Sequence, residues 1–249
     1  MFEAEIHGKL PEIADREDIL TSTVFGLLKY VVDKEVIVKV LQHAKTCTGQ
    51  NFSYNLKGYE PLFKFWPSLN EFGYPDIIIE FVHSNERKAV VCLEVKYESQ
   101  KSGEGEYDQL KRYFLGMQKY YPDSDFLGIV YLTDEQSEKD IKDSLDELEK
   151  AIKERPTEKI FGLRWSQVTK AIEEQDKQSL SEHDRRILED VSRYLRYKNF
   201  VEFEKFTYLT SVFDTMPDVF YKHEHDSFSS FSYQHIDFAD NLNNKIIYG

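Results

Sequence analysis

Asp76, Glu94 and Lys96 stand inside an apolar stretch, Gly73 to Tyr97, that reads GYPDIIIEFVHSNERKAVVCLEVKY. A charge buried in such a stretch costs several kcal/mol unless it is paired or binds a metal. Glu94 and Lys96 are two residues apart, so on a strand both leave the same face, while Leu93 and Val95 leave the other. Two carboxylates and one ammonium converging at the end of a hairpin suit a divalent-metal site with a general base beside it.

The elements that must position these groups follow from the surrounding pattern. Tyr74 to Val82 and Lys88 to Tyr97 are rich in β-branched and apolar residues, with a polar turn from His83 to Arg87, and so read as a hairpin. Upstream, Asp15 to about Val32 carries a helical stripe (Ile19, Val24, Phe25, Leu27, Leu28, Val31), with Asp15 as N-cap. A second helix is expected from Lys34 to about Lys45, a loop from Thr46 to Tyr59, and a strand at Leu62 to Trp66 that stops at Pro67. Downstream, Ser99 to Glu106 is a polar, glycine-bearing connection, and Tyr107 to Tyr120 is an amphipathic helix. Phe126 to Leu132 reads as a buried central strand, Ser137 to Glu154 as a charged helix, and Ile160 to Trp165 as another strand. Ser166 is expected to cap a helix to Glu174, and Ser181 one that runs to Asn199. Helix, three-strand meander, helix, strand, helix, strand implies a mixed α/β sandwich with helices on both faces of a small sheet.

Composition narrows the functional classes. The chain of 249 residues is 41% hydrophobic and 14% aromatic, enough for a sizeable core. No apolar run approaches the ~18–20 residues needed to cross a bilayer, and the opening MFEAEIHGKL lacks the apolar region of a signal peptide. Two cysteines, Cys47 and Cys92, make no disulfide framework, and a cytoplasmic, reducing location is expected. The glycine motifs of nucleotide-binding folds are missing. A formal net charge of −13 argues against a protein that is basic throughout. The acidity is uneven, however. Asp134 to Glu158 holds ten acidic and five basic residues, and Glu202 to Asp240 eight acidic and two basic, so the remainder is close to neutral.

Taken together, Pro75–Asp76, the Glu94-Val95-Lys96 triplet eighteen residues on, Glu17 on the first helix, and Gln109-x-x-x-Tyr113 on the helix after the hairpin form a pattern. This pattern resembles the PD-(D/E)XK nuclease superfamily, in particular its RecB-like branch with a Q-x-x-x-Y element. The resemblance covers about residues 10 to 175. It implies a restriction-endonuclease-like αβββαβ core, a mixed sheet flanked by helices, in a domain spanning 1–175. Residues 176–249 would then form a C-terminal helix and an aromatic accessory segment. It further implies a Mg²⁺-dependent nuclease, with Mn²⁺ as a substitute, that hydrolyses phosphodiester bonds of DNA. By the same resemblance Asp76 and Glu94, with the Val95 carbonyl, are metal ligands, and Glu17 holds a second metal or a metal-bound water. Lys96 orients or deprotonates the attacking water, while Gln109 and Tyr113 bond to the Lys96 region and approach the DNA backbone.

Each residue also has a plainer reading. Glu94 and Lys96 can be a same-face salt bridge on an exposed edge, Asp76 the start of a strand, and Tyr113 a core residue. Asp18 competes with Glu17 as the inward acid, since either carboxylate suits a helix N-terminus. Thr21, Ser22 and Thr23 lack a partner histidine, so a packing or capping role is expected. His223, Glu224, His225 and His235 match no zinc spacing. The segment from Phe200 to Tyr233, acidic and dense in Phe and Tyr, suits either a wrap around the nuclease core or a protein-partner or homodimer interface. A second function class therefore stands beside the first: a nuclease-fold binding or scaffold subunit, inactive alone, of a larger defence or mobile-element complex. The net charge favours it.

Overall fold

The structure, a computed structural model, describes residues 17–83, 88–97, 103, 105–134, 137–152, 156–176 and 178–202. Two helices, α1 (Glu17–Leu28) and α2 (Glu35–Gln42), precede the short β1 (Lys45–Thr46). The meander follows as β2 (Glu60–Phe65), β3 (Ile77–Val82) and β4 (Lys88–Val95), then α3 (Gln109–Tyr120), β5 (Asp125–Thr133) and α4 (Glu138–Ile152). The chain continues through β6 (Ile160–Arg164), α5 (Trp165–Glu173) and α6 (Glu182–Tyr197).

One six-stranded mixed sheet has the order β1-β6-β5-β4-β3-β2. The β2–β3 and β3–β4 pairs are antiparallel, β4–β5 and β5–β6 are parallel, and β1 adds antiparallel to β6. The parallel strands β4, β5 and β6 therefore end at one rim, where Val95 is opposite Leu132 and Thr133 is opposite Arg164. Strand alternation divides the core in two. Ile77, Ile79, Val91, Leu93, Val130 and Leu132 pack under α1, α2, α5 and α6, while Ile78, Val90, Cys92, Ile129 and Ile160 pack under α3 and α4.

Local chemistry explains several boundaries. Asp108 caps α3 by accepting the Lys111 N–H at 2.8 Å, so the helix begins at Gln109, two residues later than expected. Helix α5 starts one residue before the expected Ser166 cap: Arg164 is the N-cap, and its N–H is taken by Gln167 Oε1 at 2.8 Å. The first helix stops at Leu28 rather than Val32, and β3 starts at Ile77 rather than Tyr74. Gly73, at φ +101°, turns the chain just before Tyr74 and keeps that residue out of the ladder. Gly128, at φ +141°, sits beside a register shift between β4 and β5, where an added Cβ would lie 2.4 Å from the Lys159 carbonyl. The expected Asp15 cap lies outside the described residues.

Helix α6 falls in the segment that sequence assigned to the C-terminal accessory part. Its Leu188, Val191, Tyr194 and Leu195 are buried in the same cluster as α1 and α5, and the compact unit runs to Phe203. Ser181 caps it by accepting the Asp184 N–H at 3.1 Å. The buried Asp184 carboxylate accepts the N–H groups of Val32 at 2.7 Å and Asp33 at 3.1 Å, pinning the turn after α1. Asp184→Ala would strand both donors, and each unsatisfied buried group costs about 1–3 kcal/mol. Urea denaturation should therefore show a loss of about 2–4 kcal/mol, partly restored by Asp184→Asn. The His223–His235 group and the aromatic segment beyond Glu202 lie outside the described residues.

Candidate metal centre

Asp76 immediately precedes β3, and its carbonyl accepts the Trp66 N–H at 2.8 Å, which holds it against the end of β2. Its Oδ2 accepts the Val95 N–H at 2.8 Å, so the first carboxylate is fastened to the last residue of β4. Glu94 leaves the face of β4 that α3 and α4 cover, and its side chain is buried. Lys96 lies one residue beyond β4, where its N–H continues the ladder to the Leu132 carbonyl at 2.7 Å. Its ammonium donates to Glu94 Oε1 at 2.7 Å and to Glu17 Oε1 at 3.1 Å. Glu17 is the first residue of α1 and also accepts the Tyr97 N–H at 3.3 Å, whereas Asp18 is exposed. The inward acid of the first helix is thus Glu17.

One ligand oxygen from each of Glu17, Asp76 and Glu94 falls within 4.8 Å of the others. Glu94 Oε2 is buried with no hydrogen-bond partner among the described residues. A buried carboxylate oxygen left bare is costly, and either a cation or a proton shared with Asp76 would satisfy it. The electrostatics agree. Burial, then repulsion from Asp76, pushes Glu94 up to about 8 despite Lys96. Burial also lifts Asp76 to about 6, against the Val95 N–H and Lys96 that hold it down. For Lys96, burial alone would lower the pKa, but Glu94 and Glu17 outweigh it and the net direction is upward. With all three carboxylates ionised, the single ammonium leaves the site short of positive charge. An all-oxygen donor set without His or Cys suits a hard cation of the Mg²⁺, Mn²⁺ or Ca²⁺ kind.

Gln109 and Tyr113 share one face of α3, one turn apart, and Gln109 Nε2 donates to the Tyr113 hydroxyl at 3.0 Å. Tyr113 lies at the same end of the hairpin as Lys96, within electrostatic range of Glu94 and Asp76. Tyr113 donates to the Tyr74 carbonyl at 3.0 Å, two residues before Asp76, while the Lys96 ammonium is held by Glu94 and Glu17. The pair secures the approach to Asp76, and burial raises the Tyr113 pKa, keeping the hydroxyl a donor. Tyr113→Phe should therefore cost about 1 kcal/mol in thermal unfolding.

One contributor to the site and one buried acid outside it escaped sequence reasoning. The Trp165 indole donates to the Lys96 carbonyl at 3.2 Å and fixes the backbone of the β4 end from α5. No local signal marks it, because the two residues are 69 positions apart. Glu80, a further acid in the hairpin, is also buried, but it pairs with Lys64 on the neighbouring strand and stands apart from the cluster.

No family model matches this sequence, and no curated protein matches it. Among solved structures the chain is similar to the Cap4 SAVED/CARF-domain containing receptor of Acinetobacter baumannii with the cyclic trinucleotide 2'3'3'-cAAA. That match has 12% identity and a TM-score of 0.35, covering 74% of this chain and 45% of the receptor. A second structure of the receptor matches at 12% identity and a TM-score of 0.33, covering 72% and 44%. The chain spans less than half the length of these receptors, and a likeness this low carries no argument about function. Among the described residues, no helix is long and apolar enough to cross a membrane.

Proposed function

We propose that this chain is a metal-dependent nuclease that hydrolyses phosphodiester bonds of DNA, on a restriction-endonuclease-like αβββαβ core formed by α1, β2–β4, α3 and β5. The observation that carries the reading is the convergence of Glu17, Asp76 and Glu94 around the Lys96 ammonium at the rim of the sheet. Asp76 and Glu94 would hold Mg²⁺ or Mn²⁺ with the Val95 carbonyl, and Glu17 would complete the set from the helix side. When bound, such an ion supplies a more acidic water and neutralises charge on the phosphate.

The chain's own residues do the rest. The upward direction of the Lys96 pKa makes it a charged donor at neutral pH. Its role is to orient the attacking water or a phosphate oxygen rather than to remove a proton. The Glu94 and Glu17 contacts aim the ammonium, and the Val95 N–H holds the Asp76 carboxylate in one orientation. Tyr113 and Trp165 keep the two strand ends in place from opposite faces of the sheet.

Purified protein with Mg²⁺ should cut DNA, and Lys96→Ala and Asp76→Ala should each remove that activity while circular dichroism shows the fold retained. Equal cutting by wild type and both variants would sink the assignment. The net charge of −13 favours a second reading, a nuclease-fold scaffold subunit active only beside a partner. Failure of the isolated chain to bind DNA at moderate salt, with cutting only in a complex, would support that alternative.

A further inference from the structure

Lys96 is level with Thr133 on β5, which pairs with Arg164 at the end of β6, so Lys96 and Arg164 occupy one row of the sheet two strands apart. At 4.7–4.9 Å per strand the separation is about 10 Å. Arg164 lines a polar cleft of about 620 Å³ between α2, β1 and α5. Lys39, Lys45 and Lys170 line it too, with His43, against two carboxylates, Glu174 and Glu202. In a chain of net charge −13 this is a local excess of positive charge, and its Arg164 stands in the same sheet row as Lys96. Trp165, next to Arg164, is the residue whose indole bonds to the Lys96 carbonyl, so cleft and centre share one rigid support.

The cleft is partly filled by a carboxylate. Glu202 stands 3.5 Å from the Arg164 guanidinium and 3.2 Å from the Lys170 ammonium, one oxygen on each. Lys45 makes no side-chain hydrogen bond or ion pair among the described residues. Two cations gripping the separate oxygens of one anionic group, with a third cation uncommitted nearby, are arranged as for a phosphate.

We propose that Lys45, Arg164 and Lys170 bind the phosphodiester backbone of the nucleic-acid substrate, and that Glu202 occupies this position until the substrate displaces it. The inference rests on the nuclease reading and extends it. At about 3.4 Å of rise per nucleotide, the roughly 10 Å between the Arg164 and Lys96 backbones spans about three nucleotides. The cleft also explains how an acidic chain can hold a polyanion: the grip is local.

The test measures binding of a labelled 20-base-pair DNA duplex, and of an RNA duplex of the same sequence, by fluorescence anisotropy. The full chain is used in EDTA, where no cutting occurs, across a salt series. The combined variant Lys45→Glu with Arg164→Gln should weaken binding at least about tenfold and flatten the salt dependence. Glu202→Gln, which deletes the competing charge, should tighten it several-fold. Unchanged affinity in either variant, or no salt-dependent binding by the wild type, overturns the proposal. A duplex type that binds without sensitivity to these residues is excluded as the cleft's ligand. Cutting in Mg²⁺ separates the two claims. Cleft-dependent binding without any cutting overturns the nuclease reading alone, and cutting undiminished in the combined variant overturns the cleft alone.

Discussion

Asp76→Asn should reduce Mg²⁺-dependent cutting of DNA by about 10³-fold while leaving the protein folded. Charge stabilisation by a metal is worth several kcal/mol in a transition state, and each 1.36 kcal/mol is a factor of ten. Losing the Asp76 charge removes one of the two most buried anionic ligands from the cluster. Asn retains an oxygen for the Val95 N–H, so the strand ends remain fastened, and the repulsion with Glu94 is relieved. Stability of the metal-free protein should therefore hold or rise slightly. Cutting rates under single-turnover conditions and a thermal melt on the same preparation check both halves. A variant within tenfold of wild type would mean that Asp76 holds no essential ion.

The second large effect is a pH dependence of stability in the metal-free protein. The Glu94 carboxyl moves from an ordinary value of 4.5 to about 8, and Asp76 from 3.8 to about 6. Both shifts are upward, so between these limits the folded protein binds more protons than the unfolded chain. Stability is then fully present below about pH 4 and is lost as pH rises toward about 8. Glu94→Gln removes the larger contribution, so this variant should lose less stability across that range and exceed wild type at pH 8.5 by on the order of 2 kcal/mol. Gln also keeps an oxygen for the Lys96 ammonium, whose other partner is Glu17. Mg²⁺ should reverse the wild-type loss, raising Tm more at pH 8.5 than at pH 6, where protons compete for the ligands. Parallel pH profiles for wild type and Glu94→Gln in urea denaturation would contradict this electrostatic picture.

Sequence carried more of this site than of its surroundings. The period-two alternation that separates Glu94 and Lys96 from Leu93 and Val95 is local, and the two residues meet on the expected face. The same apolar run concealed Glu80, whose charge is offset by Lys64 on β2; finding that partner needs the register of a strand pair, which local pattern does not contain. The choice between Glu17 and Asp18 depends on how α1 is rotated against the sheet, a tertiary fact. Gln109 and Tyr113 meet as their helical spacing requires. Where Tyr113 points next depends on the turn at Gly73, which brings Tyr74 beneath it. The stripe of α6 was legible, but its burial against α1 was not, because amphipathic periodicity does not name the surface it covers.

A crystal soaked in Mn²⁺ tests the central claim most directly, since the ion can be located by its anomalous scattering. The predicted result is a peak between Asp76 and Glu94, within coordination distance of both and beside Glu17. No peak there in a crystal that binds Mn²⁺ elsewhere, with Lys96 still bonded to Glu94 and Glu17, would leave the cluster a buried ion-pair network and contradict the proposed function.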